Sequence, residues 1–193
     1  MIPVAALVFA LGLGTGACFA AGGAAATPSR VSKPGGSMPL AVTPEIAYDL
    51  AEANGEVESL GGAAYYGSAY GTNLTAPIVA IIATPDLKGY WLIGADASVY
   101  PFGDARNEGG AGGSVRADPV VAAAATPDGD GYWLVTSSGK VMGFGDAVSY
   151  GSITTPIRAH VVGIVATPDG KGYWIACNTG GVFNFGDAVF HGS

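Results

Sequence analysis

The chain has few charges, few histidines and almost no cysteine. Charged side chains make up 12% of its 193 residues, about half the share of an ordinary soluble domain. Eight Lys and Arg stand against 15 acidic residues, a net charge of −7. A nucleic-acid binder needs a basic stripe to neutralise phosphates, and none is present. The same balance disfavours an anionic membrane surface and suits a soluble extracellular chain held apart from its copies by like charge. His160 and His191 are the only histidines, which supplies neither a catalytic triad nor a metal set. No GxSxG, HExxH, P-loop or paired-cysteine motif occurs. Of the two cysteines, Cys18 lies in an apolar N-terminal segment, so Cys177 is left without an intramolecular partner. It reads as a small apolar strand residue rather than a reactive thiol.

What is abundant narrows the fold further. Apolar residues reach 49%, with 32 Gly and 12 Pro. Helix interiors lose roughly 1 kcal/mol per Gly and ~3 kcal/mol per Pro, which excludes a helical bundle. Gly has no third-residue period, so collagen is excluded. The many Val, Ile, Tyr and Trp argue against disorder in the main body. A turn-rich β protein remains.

No charged side chain precedes Arg30. Residues Ile2 to Leu13 are nearly all apolar and are followed by Gly14-Thr15-Gly16-Ala17, the pattern of a secretory signal over 1–26. Cleavage after Ala20, Ala25 or Ala26 fits. A lipidated Cys18 and an uncleaved anchor are the alternatives, weakened respectively by the imperfect lipoprotein box and by Gly12, Gly14 and Gly16. Residues 27–38, with Pro28 and Pro34 among Ser and Gly, read as a flexible linker. The expected location is secreted or extracellular, with membrane anchoring through the N-terminal segment as the variant.

Internal repetition settles most of the architecture. PIVAIIATPDLKGYWLIGADASVYPFGDARNEGG from Pro77, PVVAAAATPDGDGYWLVTSSGKVMGFGDAVSYGS from Pro119 and HVVGIVATPDGKGYWIACNTGGVFNFGDAVFHGS from His160 align almost residue for residue. Trp91, Trp133 and Trp174 recur at intervals of 42 and 41, as do Phe102, Phe144 and Phe185, and Asp104, Asp146 and Asp187. A worn copy precedes them, with Thr43-Pro44-Glu45 for TPD, Tyr48 for the repeated Tyr, Asp49 for Trp and Leu60 for Phe. The repeats span about 39–76, 77–118, 119–159 and 160–193. Each divides into four short apolar runs (in the last, Val161–Ala166, Tyr173–Cys177, Gly181–Phe185 and Ala188–His191) broken by Pro, Asp and Gly turns. About four strands per 41–42 residues, repeated, is the signature of an all-β, β-propeller-like fold. GYWLVTSS is apolar on both strand faces, as a sheet held between neighbours requires. A β-trefoil or an open stack of repeats is the alternative.

The pattern ATPDGxGYWLV…FGDA..YGS resembles a tandem repeat of secreted actinobacterial proteins that is often appended to wall-acting or hydrolytic domains. It is also similar to the YVTN-type propeller repeat. The resemblance covers about four-fifths of the chain and implies a propeller-like fold on an extracellular protein. It assigns no activity.

Candidate chemistry is sparse. Asp86, Asp128, Asp169, Asp104, Asp146 and Asp187 recur with the repeat and read as turn formers more than as metal ligands. Asp128-Gly129-Asp130-Gly131 is a fragment of a calcium loop without its later acidic ligands. The TxDxxGYW stretch is similar to the structural Asp-box turn of sialidases. Trp91, Trp133 and Trp174, with Phe102, Phe144 and Phe185, read as core. Tyr66, Tyr150, Phe190 and His191, near the unit ends, are the candidates for ligand contact. The expected function is therefore non-catalytic binding or display, with no cofactor and no metal, toward a cell-envelope glycan or a protein partner. One alternative is a propeller-type lyase or glycosidase using Glu56, Glu58, Glu108 or His191, which break the repeat symmetry. The other is a structural half-ring that completes itself as a homo-oligomer.

Overall fold

The TPDG and FGD punctuation folds each repeat into an antiparallel meander. A computed structural model describes residues 6–7, 47–113, 117–155 and 157–192. Among them every sheet is antiparallel and no helix occurs. The first sheet holds β1 (Ala6–Leu7), β2 (Tyr48–Ala51) and β3 (Val57–Leu60), and the second β4 (Ile78–Ala83), β5 (Gly89–Gly94) and β6 (Val99–Gly103). The third holds β7 (Val120–Ala125), β8 (Gly131–Thr136) and β9 (Val141–Gly145), and the fourth β10 (Val161–Ala166), β11 (Gly172–Cys177) and β12 (Val182–Gly186). The protein is thus an all-β repeat fold of four small sheets. Apart from β1, the signal segment and linker expected over 1–38 lie outside the described residues, as does the first copy's Thr43-Pro44-Glu45. No helix among the described residues is long and apolar enough to cross a membrane.

The register agrees with the sequence alignment. Tyr90, Tyr132 and Tyr173 pair with Phe102, Phe144 and Phe185, and Tyr48 pairs with Leu60 in the worn copy. The first strand of each regular repeat carries a bulge at the same place, between Ile78 and Ala80, Val120 and Ala122, and Val161 and Gly163. At the FGD corner, Gly103, Gly145 and Gly186 take φ of 68°, 64° and 68°. A Cβ there would collide with the carbonyl oxygen of Lys88, Asp130 or Lys171, so both the left-handed backbone and the close approach require glycine.

One expectation is corrected. Each regular repeat has three strands, not four. The run after FGD forms no strand, and carbonyls within it are claimed by side chains instead of a ladder. Within each repeat the indole Nε1 donates to that run: Trp91 to Arg106 O at 2.6 Å, Trp133 to Val148 O and Trp174 to Val189 O at 2.8 Å. The next repeat's tyrosine hydroxyl then donates to a glycine carbonyl three residues further on. Tyr90 reaches Gly67, Tyr132 reaches Gly109 and Tyr173 reaches Gly151. The run is a clamp between units, and buried polar ends satisfied in this way keep the aromatic rings in the core without a desolvation penalty.

Period-two alternation supplies the rest of the core. On β5, Tyr90 and Leu92 face back toward Ala51, Val57 and Ala69, while Trp91 and Ile93 face forward onto Val120, Tyr132 and Leu134. On β8, Trp133 and Val135 face forward onto Val161, Tyr173 and Ile175. Each forward Trp ring meets the next sheet's Tyr ring, with centroids 5.5 Å apart for Trp91–Tyr132 and 5.8 Å for Trp133–Tyr173. At one end, backbone bonds link neighbouring repeats. Ile78, Val120 and Val161 donate to Ala53, Ala95 and Ser137 of the preceding repeat, while within each regular repeat Ala95, Ser137 and Asn178 donate to Pro77, Pro119 and His160.

Candidate functional site

The connections that leave each clamp and enter the next sheet do not repeat in sequence. Tyr70 stands where the later units have Gly112 and Thr154. The first connection curls through a tight turn, with Thr72 N and Thr72 Oγ1 both donating to Ala69 O. This leaves the Tyr70 ring 63% exposed. Beside it lies an open groove of about 550 Å³ lined by Ala53, Asn54, Tyr70–Leu74, Ala76 and Pro77. Ala76 and Pro77 also line a smaller hollow of about 250 Å³ with Thr75, Ala95, Asp96 and Pro119. The two hollows therefore adjoin along the end of the molecule where the repeats are hydrogen-bonded to one another.

Each hollow has a polar group held in place, Asn54 in the groove and Asp96 in the smaller one. Asn54 Oδ1 accepts from Glu56 N at 2.9 Å. Asp96 is buried and accepts from Thr75 Oγ1 at 2.6 Å and from Ser98 N at 3.0 Å. Burial alone would push the Asp96 carboxyl up, but the donors from Thr75 and Ser98 outweigh it and hold it below the ordinary carboxylate value. An exposed aromatic ring flanked by amide and hydroxyl groups can stack on one face of a sugar and hydrogen-bond its rim.

The residues singled out from sequence fall elsewhere. Tyr66 and Tyr150 are half-buried at the clamps. Tyr66 packs edge-on against Tyr90 and donates to Leu87 O at 3.0 Å. Tyr150 lies against Tyr173 and donates to Gly170 O at 3.2 Å. Phe190 and His191 are exposed beyond β12, after the last sheet. The four therefore lie at the ends of three different units. Glu56 and Glu58 belong to the first sheet's hairpin and Glu108 to the second repeat's clamp, and no hydrogen bond or ion pair joins any two of these acids or His191 among the described residues. Trp91 and Trp133 are fully buried, while Trp174 is partly exposed. Phe102, Phe144 and Phe185 are half-buried on the tyrosine side of their sheets.

The repeated aspartates meet in pairs around a buried threonine. Thr84 Oγ1 lies 3.0 Å from Asp86 Oδ1 and 3.3 Å from Asp104 Oδ1. Asp86 also accepts from Lys88 N and pairs with Lys88 Nζ at 3.0 Å, and Asp169 does the same with Lys171. Hydrogen bonds from Lys88, above all from its side chain, bring the Asp86 carboxyl down to about 2. In the third sheet the lysine position is Asp130, which turns instead to Arg106 of the preceding repeat at 2.8 Å. Without a local cation, burial and the neighbouring Asp128 and Asp130 push Asp146 up. No group of three or more His, Cys, Asp or Glu placed to hold a metal ion occurs among the described residues. Cys177 is a buried free thiol, and burial raises its pKa.

No protein-family model matches the chain, and no curated protein matches it either. Tyr70 lies outside the aligned strands, where comparison between repeats singles out no residue. Its signal is a large aromatic ring in the connection Ala69-Tyr70-Gly71-Thr72-Asn73-Leu74-Thr75-Ala76, where the later units have Gly112 and Thr154.

Proposed function

We propose that the chain is a secreted, non-catalytic binding module with a propeller-like arrangement of its four sheets, and that it takes a cell-envelope polysaccharide in the groove beside Tyr70. The exposed Tyr70 ring, set among Asn54, Thr72 and Asn73 in a groove of about 550 Å³, carries this reading. A sugar's C–H face suits the ring, and its hydroxyls suit the amide and hydroxyl groups. The −7 charge favours neutral or amino-bearing glycans over polyanionic ones. Tyr70→Ala removes the stacking surface without touching the core. It should weaken retention on purified cell wall by about tenfold, the equivalent of ~1.4 kcal/mol. Blank results on both a glycan array and purified wall, with folded wild-type protein, sink the proposal.

A further inference from the structure

Among the described residues, the fourth sheet presents uncovered the face that the second and third sheets turn toward the next sheet. Its forward positions are Gly163, Val165, Trp174 and Ala176, the counterparts of Ala80, Ile82, Trp91 and Ile93 in the second sheet and of Ala122, Ala124, Trp133 and Val135 in the third. In the second sheet all four counterparts are buried. In the fourth, Val165 is 60% exposed and Trp174 partly so. The clamp is in place as well: Trp174 already donates to Val189 O, which sets Gly192 at the position where Gly67, Gly109 and Gly151 each accept a tyrosine hydroxyl.

What fits this face has been defined twice within the chain: an antiparallel sheet offering a Tyr with an aliphatic residue two positions later, as Tyr132/Leu134 and Tyr173/Ile175 do. Tyr90/Leu92 is a third such pair, already packed on the first sheet, and one pair on a backward face is left among the described residues. Tyr48 and Leu50 of β2 hold these positions in the first sheet and are only half-buried. The charges agree with this pairing. The first sheet and its hairpin carry Asp49, Glu52, Glu56 and Glu58, and no Lys or Arg falls between 47 and 87. The last unit is less acidic, with Asp169 and Asp187 against Lys171, and Arg158 stands just before it.

We propose that the fourth sheet docks a second copy of this chain head to tail, through that copy's first sheet, with its Tyr48 ring against Trp174 and its hydroxyl on Gly192. The contact is heterologous, so copies either close into a ring or extend as a stack. It does not depend on the glycan reading.

Sedimentation of the full-length protein over a wide concentration range tests it. Wild type should associate reversibly. Val165→Glu, an exposed change that places a carboxylate opposite the acidic first sheet, should weaken association at least tenfold. Val148→Glu, equally exposed but on an internal clamp, should leave association unchanged. Tyr48→Phe should weaken it about three- to tenfold through the lost hydrogen bond. Acrylamide quenching should reach one of the three tryptophans in dilute protein and none in the assembly. A chain that stays monomeric throughout overturns the proposal, and so does a Val165→Glu protein that associates like wild type. A monomer in which Trp174 is already shielded overturns it too, assigning the face to the chain's own residues.

Discussion

Strands β8 and β11 have closely related sequences, GYWLVT and GYWIAC, in the same three-stranded setting with the same turns. Every residue of β8 is buried, whereas Trp174 and Ala176 of β11 are partly exposed. Local sequence and sheet geometry are nearly constant between the two, so they are not what buries the tryptophan. Burial comes from the following sheet, whose tyrosine lies on the indole. The aromatic pair therefore belongs to the boundary between units, and the energy of this fold is held largely in those boundaries.

The comparison is broken most severely at the tryptophans. Trp133→Ala removes a fully buried ring, its bond to Val148 O and its contact with Tyr173. It should cost about 3–5 kcal/mol, the usual range for a large aromatic core residue. Trp174→Ala removes the same ring and the equivalent bond to Val189 O without an overlying sheet, and should cost less than half as much in protein kept dilute. Urea denaturation of both variants measures the difference. Equal losses would show that each sheet, not the boundary, holds the ring.

A second contrast sits in the turns. Gly129 and Gly170 take φ of 80° and 72° in their TPDG turns, but the second repeat has Leu87 there at φ 60°. A left-handed conformation costs a residue with a Cβ roughly 1–2 kcal/mol. Leu87 is an exposed side chain, so little packing is lost with it. Leu87→Gly should therefore raise stability, by about 1 kcal/mol at most once the extra freedom of glycine in the unfolded chain is set against it. A rise in the thermal midpoint checks this, and a fall would mean that Leu87 packs usefully against Tyr66, whose hydroxyl bonds its carbonyl.

Much of this was legible because the repeats could be read against one another. The turn glycines, the Tyr–Phe register and the two-sided burial of GYWLVT all follow from aligned positions. Less was legible where one unit acts on another. The fourth apolar run looked like a strand because Ala188–His191 has strand composition. Its carbonyls pair with an indole from 15 residues earlier and, in the internal repeats, with a tyrosine from 22 to 23 residues later. No local pattern marks such partners. Tyr66 and Tyr150 looked like exposed contacts for the same reason, and the groove beside Tyr70 lies in a segment without repeat neighbours to compare.

The smallest effect expected concerns the aspartate pairs, where the TPD aspartates and Asp146 of the third sheet's FGD corner differ by sign. Asp86 and Asp169 are each drawn down to about 2 in the folded chain, by the hydrogen bonds of Lys88 and of Lys171 with Thr167. Their contribution is therefore present above the unfolded value near 4 and is lost as pH falls toward 2. Asp146 runs the other way, because burial and its acidic neighbours raise its folded pKa above the unfolded one. Its ionisation opposes folding at neutral pH and ceases to do so below about 4, where both states are protonated. Asp146→Asn should then stabilise the protein at pH 7 and lose that advantage in acid, whereas Asp86→Asn should destabilise it at pH 7 and converge with wild type near pH 2. Both carboxyls are solvent-screened, so the Asp146 effect should stay under about 1 kcal/mol. Thermal midpoints between pH 2 and 7 give the two signs directly. If both variants shift the same way at pH 7, Asp128 and Asp130 do not hold Asp146 up, and the bond of Asp130 to Arg106 offsets its charge.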